Sequence, residues 1–300
     1  MVYRNFSGYL REKYHKTVKK ICIDGGFTCP NRDGTCGYGG CIFCGERGAG
    51  EHIDASCISI SEQVKKAITP NTKADSFIAY FQNFTNTYAP VDVLKKKYDS
   101  ALIDDRIIAL AVGTRPDCIN EDVAKLLSGY AKKYDVWAEL GLQTSNDDTA
   151  KIINRGYPSS TFANAVKILH EYGIKTVVHL IIGLPGENLG HVAETVRFIN
   201  RFNLWGVKIH CIYVMKGTKL EKMYRDGEYT PPTLDEYVEA ATYVLCHISP
   251  DIVVHRVTGD CPHDLLVAPD WNRDKNNIIN RINQRMIANG WSQGCLFEGE

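Results

Sequence analysis

The chain has 300 residues, 44% of them hydrophobic, which is enough to bury a full core without disulfide staples, and it carries no apolar run long enough to span a bilayer. Lysine plus arginine equals aspartate plus glutamate at 35 each, so the overall basic excess usual in proteins that grip large nucleic acids is missing, and the balance tilts toward a small-molecule substrate. Eleven cysteines, an odd number, follow an N-terminal stretch without the apolar region of a signal peptide; this predicts reduced thiols, metal ligation and a cytoplasmic setting.

In chain order, short apolar runs alternate with amphipathic stretches, and no linker or low-complexity segment intervenes. One domain over 1–300 is predicted, with a core of about 17–250 and an extension of about 251–300. VKKICI (18–23) reads as the first strand, leading into the loop CPNRDGTCGYGGCIFC. A helix begins at Ser59, the N-cap, with Glu62 as its capping-box partner. SFIAYF (76–81) is the second strand and 91–102 its helix; RIIALAV (106–112) is the third, followed by a helix capped by Asn120. VWAELGL (136–142) precedes a helix over 161–172 that ends at Gly173. KTVVHLII (175–182) and VKIHCIY (207–213) are strands five and six, with helices over 192–202 and 234–248. The tail adds a strand, IVVHRV (252–257), and a helix around 275–289.

Six βα units in a row predict a parallel α/β sheet with helices outside. In a barrel of this kind, function sits on the loops after the strands. The polar clusters fall there: the cysteine loop, QNFTNT, TRPD with Thr114 at its head, QTSND and GLPGE.

Cys41 and Cys44 form a CxxC pair with Phe43 before the second thiol; Cys29 lies upstream, and Cys36 stands between. Four thiolates are able to close a tetrahedral zinc site, although such sites normally draw two knuckles from different loops. Three thiolates on a [4Fe–4S] cubane leave one iron open for a further ligand. Cys22, Cys118, Cys211 and Cys246 lie in or beside elements and read as buried core.

The CPNRDGT…GGC-x-FC loop, together with the later strand-end motifs, resembles the radical S-adenosylmethionine (SAM) superfamily, and within it the YhcC-like subgroup, from about Tyr9 to the C-terminal region. The resemblance implies an α/β fold, a partial (β/α)6 TIM-like barrel with a C-terminal strand and helix extension. It implies a [4Fe–4S] cluster on Cys29, Cys41 and Cys44, with Cys36 outside the family pattern, and SAM on the open iron. Asn83, Thr85, Asn86 and Thr87 stand where family members place a Gly-Gly-Glu motif that meets the SAM amino group. Glu139 and Arg155 match the strand-four acid and following arginine that hold SAM, with Gln143 in the same motif. HLIIGLPGE, with His179, Gly183 and Pro185, resembles the segment beside the adenine. Phe43 and Thr114 complete the expected cofactor-binding set.

Glu51, His52, Lys216 and Asp260 are the candidates for catalysis, with His210, Tyr213, His255 and Arg256 as neighbouring substrate groups. A carboxylate at Glu51 or Asp260 suits the amidine-like edge of a guanine-type base. Each is equally a polar residue at a strand end. Two activities fit the resemblance. One is a queuine lyase releasing 7-aminomethyl-7-deazaguanine, favoured by the neutral charge and the lack of a basic arm. The other converts carboxymethylaminomethyluridine to aminomethyluridine at the tRNA wobble position. The expected partners are queuine or its nucleoside, with tRNA as the alternative, plus an external electron donor of flavodoxin or ferredoxin type. A zinc-stabilised binding protein without redox chemistry is the reading from another class.

Overall fold

A computed structural model describes residues 2–48, 59–71 and 73–299. Seven strands lie side by side in one curled sheet, every adjacent pair parallel: β1 (Val18–Ile23), β2 (Ser76–Phe81), β3 (Ile107–Thr114), β4 (Asp135–Gln143), β5 (Lys175–Ile182), β6 (Gly206–Cys211) and β8 (Val253–Arg256). Between the last two, β7 (Val214–Met215) pairs antiparallel with β9 (Leu266–Ala268) in a small separate ribbon. The sheet is a half-barrel, with β1 and β8 as its two edges.

The expected α/β class and partial barrel are present, and the tail strand foreseen as an extension is the seventh strand of the main sheet. The tail strand is not an addition outside the barrel. Val253 and Val254 are buried and pair with Gly206 and Val207, so the segment extends the main sheet. The capping signals act as read: Ser59 and Glu62 form a reciprocal box at the start of α2 (Ile60–Ile68), and the Asn120 side chain accepts from Val123 N at the start of α4 (Glu121–Ala131).

Side chains alternate across each strand, so the sheet has two chemically different faces. Ile21, Ile23, Phe77, Phe81, Leu110 and Val112 join the core beneath the outer helices. On the concave face Ile78, Tyr80, Ala109, Ala111, Trp137 and Val177 form a second cluster. The helix α1 (Phe6–Tyr14), which the sequence reading did not assign, closes the lower end of that concavity. Phe6 stacks on His255 at 4.1 Å and meets Trp137 and Trp205 edge-on at 5.9 and 6.3 Å. Among the described residues no helix is long and apolar enough to cross a membrane.

Candidate active site

The cysteine loop is shaped by its own backbone and by one asparagine. The N–H groups of Arg32 and Asp33 turn back onto the Cys29 carbonyl at 2.8 and 3.2 Å, and Cys44 N–H donates to Cys41 O at 3.0 Å. Asn31, 1% exposed, donates from Nδ2 to Asn154 O at 2.6 Å, and the same group lies 3.9 Å from Cys41 Sγ. Asn154 returns the contact to Gly40 O at 2.8 Å, tying the loop to the segment after α5 (Asp147–Ile152). Ile42 and Phe43 pack with Ile153, Leu184, Ile212 and Leu220, so a small apolar cluster presses the CxxC turn against the late strand ends.

Cys29, Cys41 and Cys44 are half-buried, whereas Cys36 is exposed. The Cys41 thiol is brought down to about 7 by a hydrogen bond with Cys44, with burial opposing and Arg115 and Arg155 assisting; Cys44 is correspondingly raised. Arginines thus surround the thiols on two sides: Arg115 and Arg155 near Cys41, and Arg32 near Cys44. Such a cationic setting favours thiolates, the form that binds metal. Among the described residues no three His, Cys, Asp or Glu side chains are drawn together as ligands of one ion. A cubane asks for a different arrangement, one thiolate on each of three irons.

Beneath this loop the strand ends present a row of acceptors without donors. Asn83, Thr85 and Asn86 are fully buried, yet Asn83 Oδ1, Thr85 Oγ1 and Asn86 Oδ1 have no partner, and neither do Asn31 Oδ1 and Gln143 Oε1. Their other atoms are fixed: Asn83 Nδ2 donates to Asp24 at 2.7 Å, and Asn86 Nδ2 to Gly113 O at 2.7 Å. Gln143 sits at φ +62°, a left-handed conformation that a non-glycine residue holds only at a cost. Leaving a buried polar atom unpaired costs about 1–3 kcal/mol, and unpaired oxygens on the loops after β1 and β2 and at the end of β4 suit a ligand that brings donors.

The concave face holds a third feature, and most of it was not foreseen. The Glu139 carboxylate, with no exposed surface, accepts from Trp137 Nε1 at 3.0 Å, from His179 Nε2 at 2.9 Å and from Lys208 Nζ, and Lys20 Nζ stands 3.7 Å away. Lys208 also donates to Tyr80 OH at 3.0 Å. Burial pushes the Glu139 carboxyl up, but Lys208, Lys20 and the His179 bond outweigh it and hold the group well below the usual carboxylate range. Burial lowers Lys208 to about 7 against the pull of Glu139, and lowers His179 to about 4. Lysines within VKKICI and VKIHC look like solvent positions in one dimension. Their only signal was alternation, which puts Lys20 and Lys208 on the concave face.

Family models match the chain over most of its length: the Radical SAM superfamily over 31–199 and the Radical SAM C-terminal domain over 204–288. The chain belongs to the Radical SAM superfamily. It is 37% identical to YtqA of Bacillus subtilis over 99% of this chain and 93% of that one, and 36% identical to YhcC of Escherichia coli over 89% and 86%. These full-length likenesses place it in the YhcC-like subgroup. A tRNA uridine(34) acetyltransferase of Dehalococcoides mccartyi is 30% identical over 52% of this chain and 34% of its own length. Among solved structures, the archaeal Methanocaldococcus infernus Elp3 superimposes with a TM-score of 0.69 at 19% identity, covering 93% of this chain and 64% of that one.

As a radical SAM enzyme the chain uses a [4Fe–4S] cluster and SAM, and its residues fit both. Cys29, Cys41 and Cys44 are the thiols that would hold the cluster. SAM brings an ammonium, two ribose hydroxyls and an adenine amino group, all donors, and the unpartnered atoms of Asn31, Asn83, Thr85, Asn86 and Gln143 are acceptors.

The other residues of the expected cofactor-binding set make contacts within the chain. Thr114 shares a 2.6 Å hydroxyl contact with Thr87. Arg155, fully buried, donates to the carbonyls of Tyr157, Leu142 and Thr144 and to Asp147. Gly183 sits at φ +91°, where a Cβ would meet Pro232 at 2.6 Å, its carbonyl accepts from Tyr229 OH at 2.6 Å, and Pro185 beside it is buried. Glu139 and His179 meet in the concave network rather than at the strand ends.

Of the four residues expected in catalysis, Glu51 and His52 lie outside the described residues. Lys216 is exposed on the β7–β9 ribbon and donates to Asp264 O at 2.6 Å. Asp260 is held by Lys275 and by Arg256 at 3.4 Å. Cys211 and Cys246 are buried as expected and Cys118 is half-buried. Cys22 is exposed: it sits on the edge strand β1, on the face opposite Ile21 and Ile23, which turn to the helices.

Proposed function

We propose that this radical SAM enzyme cleaves an exocyclic N–C bond of a modified nucleobase, and that its substrate is the tRNA wobble uridine whose carboxymethylaminomethyl group is trimmed to aminomethyl. The concave face carries this reading: a buried acid, Glu139, beside Lys208, with Lys20 and half-buried Arg256 nearby, sets both signs of charge under the cofactor rim. A carboxymethylaminomethyl group is an amine next to a carboxylate, and it needs both. The relatives named tRNA uridine(34) acetyltransferases support the same base in the same RNA.

When bound, the cluster and SAM supply a carbon-centred radical able to take a hydrogen atom from an unactivated C–H bond. This chain's own residues do the rest. The rim acceptors fix the orientation of the cofactor, the Glu139–Lys208 floor fixes the side chain to be cut, and Phe6, Trp137 and Trp205 close the lower end against water. An external one-electron donor of flavodoxin or ferredoxin type is required for turnover.

The second reading is queuine lyase. Queuine carries the same aminomethyl linkage to a neutral cyclopentenediol, and the zero net charge of the chain favours a free base. Anaerobic turnover with SAM and reductant separates the two, using queuine and tRNA bearing the modified uridine in parallel. 5′-Deoxyadenosine together with aminomethyluridine in digested tRNA is the expected result. Release of 7-aminomethyl-7-deazaguanine from queuine, with tRNA unchanged, would move the assignment to the lyase. A colourless, zinc-loaded protein inert toward both would leave the non-redox binding protein.

A further inference from the structure

We propose that Lys20, Lys208 and Arg256 form an anion subsite in the floor of the half-barrel that binds the carboxylate of the substrate's side chain, with Glu139 facing the adjacent amine. This rests on the wobble-uridine reading and adds to it the residues that would choose a carboxylate-bearing side chain over a neutral one.

Three strands deliver the cations to one place. Lys20 comes from β1 and Lys208 from β6, and a break in register delivers the third. Val207 pairs with Val254, but the next pair is Lys208 with Arg256, one residue being skipped on β8. Without that bulge Arg256 would fall on the helix-facing side; with it, Arg256 shares the face of Lys208. Bulges of this kind re-aim a side chain, and here the side chain is a guanidinium, the group best shaped to fork onto a carboxylate.

The charges in this floor do not cancel. Glu139 is bonded by Lys208 and stands 3.7 Å from Lys20, while Asp260 is shared between Arg256, at 3.4 Å, and Lys275. Among the described residues, four basic side chains therefore answer two carboxylates. Among the described residues the carboxylate oxygen nearest to Lys20 is that of Glu139 at 3.7 Å, and its ammonium rests over the Tyr80 ring at 4.4 Å. Lys208 spends two of its three N–H groups, on Glu139 and Tyr80. His210 lies on the same face of β6 as Lys208, and its Nε2 is buried with no partner, a further polar atom waiting in the same place. The floor is reachable: the side chains of Lys20 and Arg256 are 24% and 38% exposed, while Lys208 is 7%. Surplus positive charge in a partly desolvated pocket is unfavourable until an anion enters, which is how such a site selects its ligand.

The test is calorimetric titration of the cluster- and SAM-loaded enzyme with two nucleosides: 5-carboxymethylaminomethyluridine and its uncharged carboxamide. The acid should bind tighter than the amide by roughly tenfold or more, the difference expected for hydrogen bonds to an ionised group. In Arg256→Gln and in Lys20→Gln the preference should shrink severalfold, with affinity for the amide little changed. Lys208→Met strands Glu139, so the double variant Glu139→Gln/Lys208→Met is measured beside it and should lose the preference. Equal affinity of wild type for acid and amide overturns the subsite, as does a preference that survives in all of these variants. Failure of the substrate assignment looks different: the acid is preferred and the variants lose that preference, yet modified tRNA is not trimmed.

Discussion

The rim and the floor of this half-barrel are both polar and both buried, and they are wired in opposite ways. At the rim, Asn31, Asn83, Thr85, Asn86 and Gln143 each keep an oxygen without a donor. In the floor, Glu139 accepts three hydrogen bonds and stands near a fourth partner, the Lys20 ammonium. The rim holds its polar groups open for a ligand that brings the donors. The floor spends its hydrogen bonds internally to keep one carboxylate ionised in a low-dielectric place. Substitution at the rim should therefore cost binding and spare the fold, and substitution in the floor should do the reverse first.

The largest effect expected is at the cysteines. Replacing Cys29, Cys41 or Cys44 by alanine should abolish iron–sulfur absorption and 5′-deoxyadenosine formation, while Cys36→Ser, at an exposed thiol, retains both. Iron and sulfide analysis with visible spectra decides it, and loss of the cluster in Cys36→Ser would break the three-thiol assignment.

Next comes Lys208→Met in the cofactor-free chain. Removing one partner of a buried pair typically costs about 3–5 kcal/mol, because the remaining charge is stranded. Denaturant unfolding should register most of that loss, and Glu139→Gln/Lys208→Met should recover a good part of it. A single variant as stable as wild type would mean that the floor is not the closed network described.

A smaller effect is acid sensitivity. His179 is held neutral in the fold, with its value lowered to about 4 from the ordinary 6.5, so the unfolded chain binds a proton that the native chain refuses between those values. Stability should fall as pH drops from 6.5 toward 4, by at most about 2 kcal/mol between pH 7 and 5 for this group alone. The imidazole is 23% exposed, and solvent screening reduces that figure. In His179→Gln the slope of stability against pH in this window should lessen. An unchanged slope removes His179 from the account and leaves His210 and His255, both also held neutral by burial.

The smallest effect on stability is expected for Thr85→Val. Its hydroxyl has no partner, so the cofactor-free chain should change by about 0.5 kcal/mol or less, or gain slightly. SAM affinity, measured by equilibrium dialysis on the cluster-loaded protein, should nevertheless fall severalfold. A destabilised variant with unchanged SAM binding would reverse the contrast between the two regions.

The rim was legible in the sequence because its signals are local. The spacing of Cys29, Cys41 and Cys44, the QNFTNT turn and GLPGE each fall within a few residues, at the end of a recognisable apolar run. The floor was legible at Glu139 and His179, which belong to motifs, and at His210, His255 and Arg256 as candidate substrate groups on late strands. Its other members are contributed one at a time by strands far apart in sequence, Lys20 and Tyr80 at one end and Lys208 at the other. The face that Arg256 takes depends on a bulge, and no single-strand pattern announces one. The same limit explains α1: nine residues with one buried side chain carry little periodicity, and their role emerges only when Phe6 meets His255.

That meeting bears on how the chain assembles. Asn5 pairs with Val254, and Arg4 O accepts from Val254 N at 2.8 Å, so the segment ahead of β1 is stitched to the distant β8. Contacts of such sequence separation carry a high loop-closure cost and form late in folding. The floor between β1 and β8 is thus completed after the cysteine loop, which follows directly from β1, has left the ribosome. A chain stalled before residue 254 would carry all three cluster thiols and no finished cavity beneath them, so cluster insertion and barrel closure are separable events, open to pulse-labelling in either order.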